Sequence, residues 1–181
     1  MNNGGVAHGC QVSGKVSGES TVGGLIGCNM GAISECRATG KVSGNCRIGG
    51  LVGANTSGNL ADCYASCKVL GKTYDIGGLV GANTEGSLNN CHATGKVLGN
   101  DGVGGLVGSD NNGKFSQCYW DMQTTGQQTS SAGRSITPQE MKCPSTFAGW
   151  DLDNIWQIEG GKSYPTLRCF NRNASPIGES E

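Results

Sequence analysis

The chain has 181 residues, with 13 Lys and Arg against 14 Asp and Glu, a formal net charge of −1 and only 15% charged side chains. That balance lacks the basic excess that drives phosphate binding, so it excludes nucleic acid as a partner. No apolar run approaches the ~20 residues that cross a bilayer, so it also excludes membrane insertion. Glycine supplies 33 residues and proline 4, which is neither collagen's strict triplet nor the mixture of a flexible linker.

In chain order, residues 1–22 read as a partial first coil, and Met1-Asn2-Asn3-Gly4-Gly5 has neither the basic start nor the apolar stretch of a signal peptide. Residues 23–118 are repetitive. A Gly-Gly-Leu-(Val/Ile)-Gly block begins at Gly23, Gly49, Gly77 and Gly104, with spacings of 26, 28 and 27 residues. Cys10, Cys36, Cys63, Cys91 and Cys118 keep the same beat, and a valine follows the first four by six residues each time: Val16, Val42, Val69 and Val97.

Between cysteine and valine the residues alternate. Even positions carry small or apolar groups, such as Ala38, Ala65 and Ala93; odd positions carry Gln11/Arg37/Tyr64/His92, then Ser13/Thr39/Ser66/Thr94, then Lys15/Lys41/Lys68/Lys96. Period-two alternation predicts a strand with its apolar side inward and its polar side in water. A unit of ~27 residues with one leucine and a few β-branched side chains buries too little to offset ~1–2 kcal/mol of backbone entropy per residue, so it folds only by stacking. The predicted fold is all-β: a parallel β-solenoid of about four 26–28-residue coils. The repeat cysteines form an interior ladder.

Composition changes near residue 115. Eight of the ten aromatics and all four prolines lie beyond that point, so residues 119–170 read as a small aromatic-rich α+β cap that covers the last coil, with 171–181 a flexible tail. Thr137-Pro138-Gln139-Glu140 predicts a short capped helix, and Ile155-Trp156-Gln157-Ile158 before Gly160-Gly161 predicts a strand and turn.

Asn90-Cys91-His92-Ala93-Thr94-Gly95-Lys96-Val97 followed by Val103-Gly104-Gly105-Leu106-Val107-Gly108 resembles the GLUG repeat. Such repeats are similar to those of bacterial surface proteins, including filamentous-haemagglutinin-like adhesins and some surface peptidases. Cys118-Tyr119-Trp120-Asp121 through Tyr164-Pro165-Thr166-Leu167 resembles the segment that closes these arrays. The resemblance implies an extracellular or cell-surface module and transfers no catalytic residue. Cys28, Cys46 and Cys67 depart from the pattern.

Several features carry candidate chemistry. The lysine column, flanked by Thr39, Ser66 and Thr94, suits an anionic or hydroxylated polymer such as a surface polysaccharide, or another cell-surface ligand; its alternative is a solvated face. Cys143 and Cys169 can staple the cap, and two of Cys28, Cys46 and Cys67 can pair near corners. Asp110-Asn111-Asn112-Gly113 reads as a turn in preference to a calcium loop. Asn55-Thr56-Ser57 and Asn173-Ala174-Ser175 match the glycosylation sequon. His8 and His92 stand beside no nucleophile motif, no phosphate loop is present, and neither a cofactor nor a metal is expected. The leading functional expectation is a non-catalytic stalk or adhesive module. A self-stacking filament subunit is the alternative, and a polysaccharide-active β-helix enzyme is a weaker third.

Overall fold

The computed structural model describes residues 1–171. Of the tail expected over 171–181, all but Asn171 lies outside the described residues, as does the sequon at Asn173. The fold is the expected parallel β-solenoid, and each complete coil contributes to each of four columns, with a single strand everywhere but one broken position in the second.

The first column holds Val6–His8, Ala32–Ser34, Asn59–Ala61, Ser87–Asn89 and Lys114–Ser116. The second holds Gln11–Ser17, Arg37–Ser43 and Tyr64–Leu70, then the broken pair His92–Ala93 and Val97–Leu98, then Tyr119–Asp121 and Arg134–Ile136. The third runs from Ser20–Gly23 through Cys46–Gly49 and Ile76–Gly77 to Val103–Gly104; the fourth from Ile26–Asn29 through Val52–Thr56 and Val80–Thr84 to Val107–Asn111. All pairing between coils is parallel and in register with the sequence repeat: Val16 lies against Val42, Val42 against Val69, and Val69 against Val97.

Corners need backbone that strands cannot supply. Glu35, Asp62, Asn90 and Gln117 each sit at φ of 49–52° just before a ladder cysteine; Thr21 and Arg47 sit at 55° and 52° as the second residue of their third-column strands, and Asp75 at 60° just before Ile76–Gly77. Left-handed backbone disfavours residues with a Cβ, most of all a β-branched one such as Thr21. The glycine pair of the repeat answers a different demand. A Cβ on Gly49 would lie 1.9 Å from the Val52 carbonyl oxygen, and one on Gly50 would lie 2.1 Å from that of Gly78, so the backbones meet where no side chain fits.

The interior is a stack of matched side chains: Ile33, Leu60 and Leu88 from the first column, Ala38, Ala65, Val42 and Val69 from the second, Ile48 and Ile76 from the third, and Leu51, Leu79 and Leu106 beside the fourth. Each is inaccessible to water because the coil above floors the coil below.

The cap departs from its expected placement. Residues 120–136 do cover the end: Trp120 packs over Gly105 and donates through Nε1 to the Gln127 carbonyl at 3.1 Å, while Ser130 Oγ accepts from the Leu106 and Val107 amides at 3.2 and 2.9 Å. The remainder does not close the end. It folds back along the flank and forms a second core of Ile136, Met141, Phe147, Trp150, Trp156 and Leu167 against Tyr64 and Tyr119. The expected polar exterior at Tyr64 and His92 is therefore buried, because these rings floor the cap.

The helix Pro138–Met141 forms with the capping box expected at Thr137, whose hydroxyl accepts from the Glu140 amide while Glu140 accepts from the Thr137 amide. A short helix at Met122–Thr125, capped by Asp121, was not foreseen. Trp156–Gln157 pairs antiparallel with Thr166–Leu167.

Candidate functional site

The lysine column is in register. Lys15 lies beside Lys41, Lys41 beside Lys68, and the Val69–Val97 pairing places Lys96 next in line. Lys15, Lys68 and Lys96 are exposed and Lys41 is half-buried. Thr39 pairs with Ser66, and Thr94, in the break just after His92–Ala93, donates its amide to the Ala65 carbonyl at 3.0 Å, so a hydroxyl file continues two positions from the lysines.

Successive members stand roughly 4.8 Å apart, the spacing of neighbouring strands. The side-chain ion pairs among the described residues join Arg134 to Glu140 and Lys162 to Glu159, so no carboxylate neutralises the lysine column. Four like charges in single file repel by about 1 kcal/mol per neighbouring pair at the dielectric of water. A linear polyanion laid along the axis would remove that repulsion.

The cysteine ladder is interior. Cys36, Cys63, Cys91 and Cys118 are buried, and Cys10, in the first coil, is half-buried. Each of the four donates to the carbonyl two residues earlier, Cys36 to Ser34, Cys63 to Ala61 and Cys91 to Asn89 at 3.1 Å, and Cys118 to Ser116 at 3.3 Å. Burial pushes the Cys63 and Cys91 thiols well up, and contact with the Cys91 thiol, then burial, does the same at Cys118. Cys36 runs the other way, lowered chiefly by the Cys63 thiol.

No two cysteines among the described residues lie at disulfide distance, so the pairings that the sequence allowed are not shown. Cys143 and Cys169 are both exposed. Cys67 is not at a corner: it lies within the strand Tyr64–Leu70, buried, donates to the Gly50 carbonyl at 3.4 Å, and its thiol is pushed up to about 11 by burial. Cys28 and Cys46 stand on the fourth and third columns and do not pair.

One organised feature escaped the sequence. Asn2 donates its side-chain amide to Asn29 at 2.8 Å, Asn29 to Asn55 at 2.7 Å, Asn55 to Asn83 at 2.8 Å, and Asn83 to Asp110 at 2.7 Å. Asn29, Asn55 and Asn83 are fully buried, and each also donates to a corner carbonyl, of Gly31, Gly58 and Gly86. The signal was present: an Asn or Asp follows the block leucine by four residues in each coil, at Asn29, Asn55, Asn83 and Asp110.

Two candidate sites change meaning with this ladder. Asp110 spends one carboxylate oxygen on Asn83 and the other on the Gly113 amide at 3.2 Å, which makes it a turn cap and the ladder's last acceptor. Asn55 of the sequon is sealed inside the coil, where no glycan could join it without breaking the ladder.

The histidines differ. His8 Nδ1 lies 3.0 Å from Ser34 Oγ on an exposed edge. His92 is buried, its Nε2 is 3.1 Å from the Pro165 carbonyl oxygen, and its ring stacks on Tyr64 at 4.8 Å.

The motif model called the GLUG motif matches residues 18–43, 44–69 and 73–98. The chain carries three GLUG motifs. These GLUG units fall in consecutive coils, each running from the corner before the third column to the second strand of the next turn. A curated relative from Evansella cellulosilytica, provisionally described as a Gly-rich membrane protein, is 45% identical over 49 residues, which is 26% of this chain and 6% of that protein.

Among solved structures, a chain from Bacteroides ovatus, provisionally described as an immunoglobulin A1 protease, superposes with a TM-score of 0.64 at 19% identity. The alignment covers 93% of the GLUG-bearing chain and 60% of the other, and it establishes shared architecture alone. The chain thus spans only part of each of these proteins. No helix among the described residues is long and apolar enough to cross a membrane.

Proposed function

We propose that this chain is a non-catalytic, extracellular repeat module, a rigid segment of a prokaryotic surface protein whose lysine and hydroxyl files bind an acidic polysaccharide along the solenoid axis. The observation that carries the ligand half is the column Lys15–Lys41–Lys68–Lys96, held in register without a carboxylate counter-charge. Its regular spacing suits a polymer that repeats its own charge, and Thr39, Ser66 and Thr94 supply hydroxyls beside it. The surface half rests on the family resemblance, since disulfides give it no support.

The non-catalytic half rests on the state of the reactive groups. The ladder thiols are buried, His92 spends Nε2 on a backbone carbonyl, and the carboxylates Asp62, Asp110 and Asp121 are engaged as hydrogen-bond acceptors. A glycan array containing uronic-acid and sulfated polymers tests this function, alongside a Lys41→Glu/Lys68→Glu/Lys96→Glu variant. Binding to an acidic polymer that falls at least tenfold in the variant, and falls with added salt, is expected. Binding that the variant keeps, or turnover of a polymer above background, overturns it.

A second mode, stacking of another subunit on the first coil, draws on the unpaired outer edge of the first-coil strands, where Val6 is 76% exposed. The opposite end is covered by residues 120–136, which works against head-to-tail growth. Sedimentation over a wide concentration range separates a monomeric rod from an assembling one.

A further inference from the structure

The cap and the coils meet across one imidazole. His92 lies on the second column between Tyr64 of the coil before and Tyr119 of the strand after. Its ring stacks on Tyr64 at 8° interplanar angle, and Trp150 and Trp156 of the cap lie over it with centroids at 6.1 and 5.6 Å. Nε2 donates to the Pro165 carbonyl, which fixes the proton on that nitrogen and leaves Nδ1 as a bare lone pair. Nδ1 is the one buried side-chain nitrogen or oxygen among the described residues without a hydrogen-bond partner. A neutral Nδ1 forfeits one hydrogen bond to water. A protonated one would carry a charge, walled by aromatic rings, with nothing to accept its hydrogen.

We propose that His92 is a proton-operated clasp: neutral, it lets residues 137–168 dock on the flank of the coils, and a proton on Nδ1 releases that segment while the coils stay stacked. The two halves have separate cores, which permits one to let go without the other. Burial holds the imidazole down at about 4, from an ordinary value of 6.5. Because the docked value lies below the free one, docking is at full strength above pH 6.5, weakens as pH falls from there toward 4, and levels off below. The docking equilibrium constant falls on the order of a hundredfold between pH 7 and pH 4.

Other ionisable groups border this contact. From the coils come Tyr64 and Tyr119, with Arg37 bonded to Tyr64 Oη, Arg134 near Tyr119, and Asp62, which accepts from Trp156 Nε1 at 2.9 Å. From the cap come Asp151, Arg168 and Tyr164, the last bonded to Asp121. Asp62 and Asp121 also tie the cap to the coils, so a control must separate their protonation from that of His92.

Hydrogen exchange between pH 7 and pH 4, corrected for intrinsic rates, reads docking at the Trp150 and Trp156 indole N–H groups of the cap, which donate across to the Gln117 carbonyl and to Asp62, and stacking at the Tyr64 and Val69 amides of the coils. The expected result is loss of protection in the cap alone, abolished in His92→Phe or in His92→Gln, the side chain that the first coil carries at Gln11. Unchanged cap protection at pH 4, simultaneous loss in cap and coils, or equal loss in wild type and variants each overturns the clasp. Should neither variant fold, the imidazole of the wild-type protein is followed by NMR. A protonation midpoint below 5 that coincides with cap release upholds the clasp, and one near 6.5 with the cap still docked overturns it.

Discussion

Asn55 hands its side-chain amide to Asn83 at 2.8 Å while its own oxygen receives that of Asn29 at 2.7 Å, all three buried. Every donor in the line points toward the C-terminal coils, and Asp110 ends it as a group that only accepts. Replacing Asn55 with Ala orphans a donor on one side, an acceptor on the other, and the Gly58 carbonyl. Stability to urea is expected to fall by roughly 2–4 kcal/mol, more than for any exposed Asn→Ala change in this chain. A loss below about 1 kcal/mol would mean that water replaces the ladder.

Thr21 holds a β-branched side chain at φ of 55°. Thr21→Gly relieves that backbone and is expected to raise stability by about 0.5–1 kcal/mol, even though glycine gains freedom when unfolded. Thermal unfolding checks it, and a lowered midpoint would show that the corner depends on the threonine side chain.

The lysine file opposes its own fold. Lys41→Gln removes the charge between two like neighbours and is expected to stabilise the chain by roughly 0.5–1 kcal/mol in 10 mM salt, with the gain fading by 0.5 M. Denaturation at both ionic strengths reads it directly.

Thiol chemistry sorts the cysteines by position. Cys143 is exposed, and its hydrogen bond with Ser145 lowers its thiol below the ordinary range, whereas burial raises Cys67 to about 11. Maleimide mass-mapping of native protein at pH 7.5 is expected to label Cys143 within minutes. Cys63, Cys67, Cys91 and Cys118 should react only after unfolding.

The periodic half of this fold was legible because stacking forces side chains into phase: the cysteines, the valines and the Gly-Gly-Leu block all report one 26–28-residue turn. The lysine column followed from strand alternation. What alternation could not tell was which outward positions another segment covers. Gln11, Arg37, Tyr64 and His92 occupy one column, yet only the last two are fully buried, because coverage is decided by where the aromatic cap docks. The asparagine ladder was missed for another reason. Its members stand beside corners, where asparagine ordinarily means a turn, and only their constant offset from the leucine marks them as interior.

The one-way line of amides has a bearing on how such chains change length. Any whole turn that brings its own asparagine both receives from the turn before and gives to the turn after, so in-frame duplication or deletion of ~27 codons leaves each junction chemically identical. A gain or loss of half a turn would set an amide against a valine and strand every polar group along that wall. Copy number is thus free to drift in whole steps, while the aspartate that closes the line must travel with the cap.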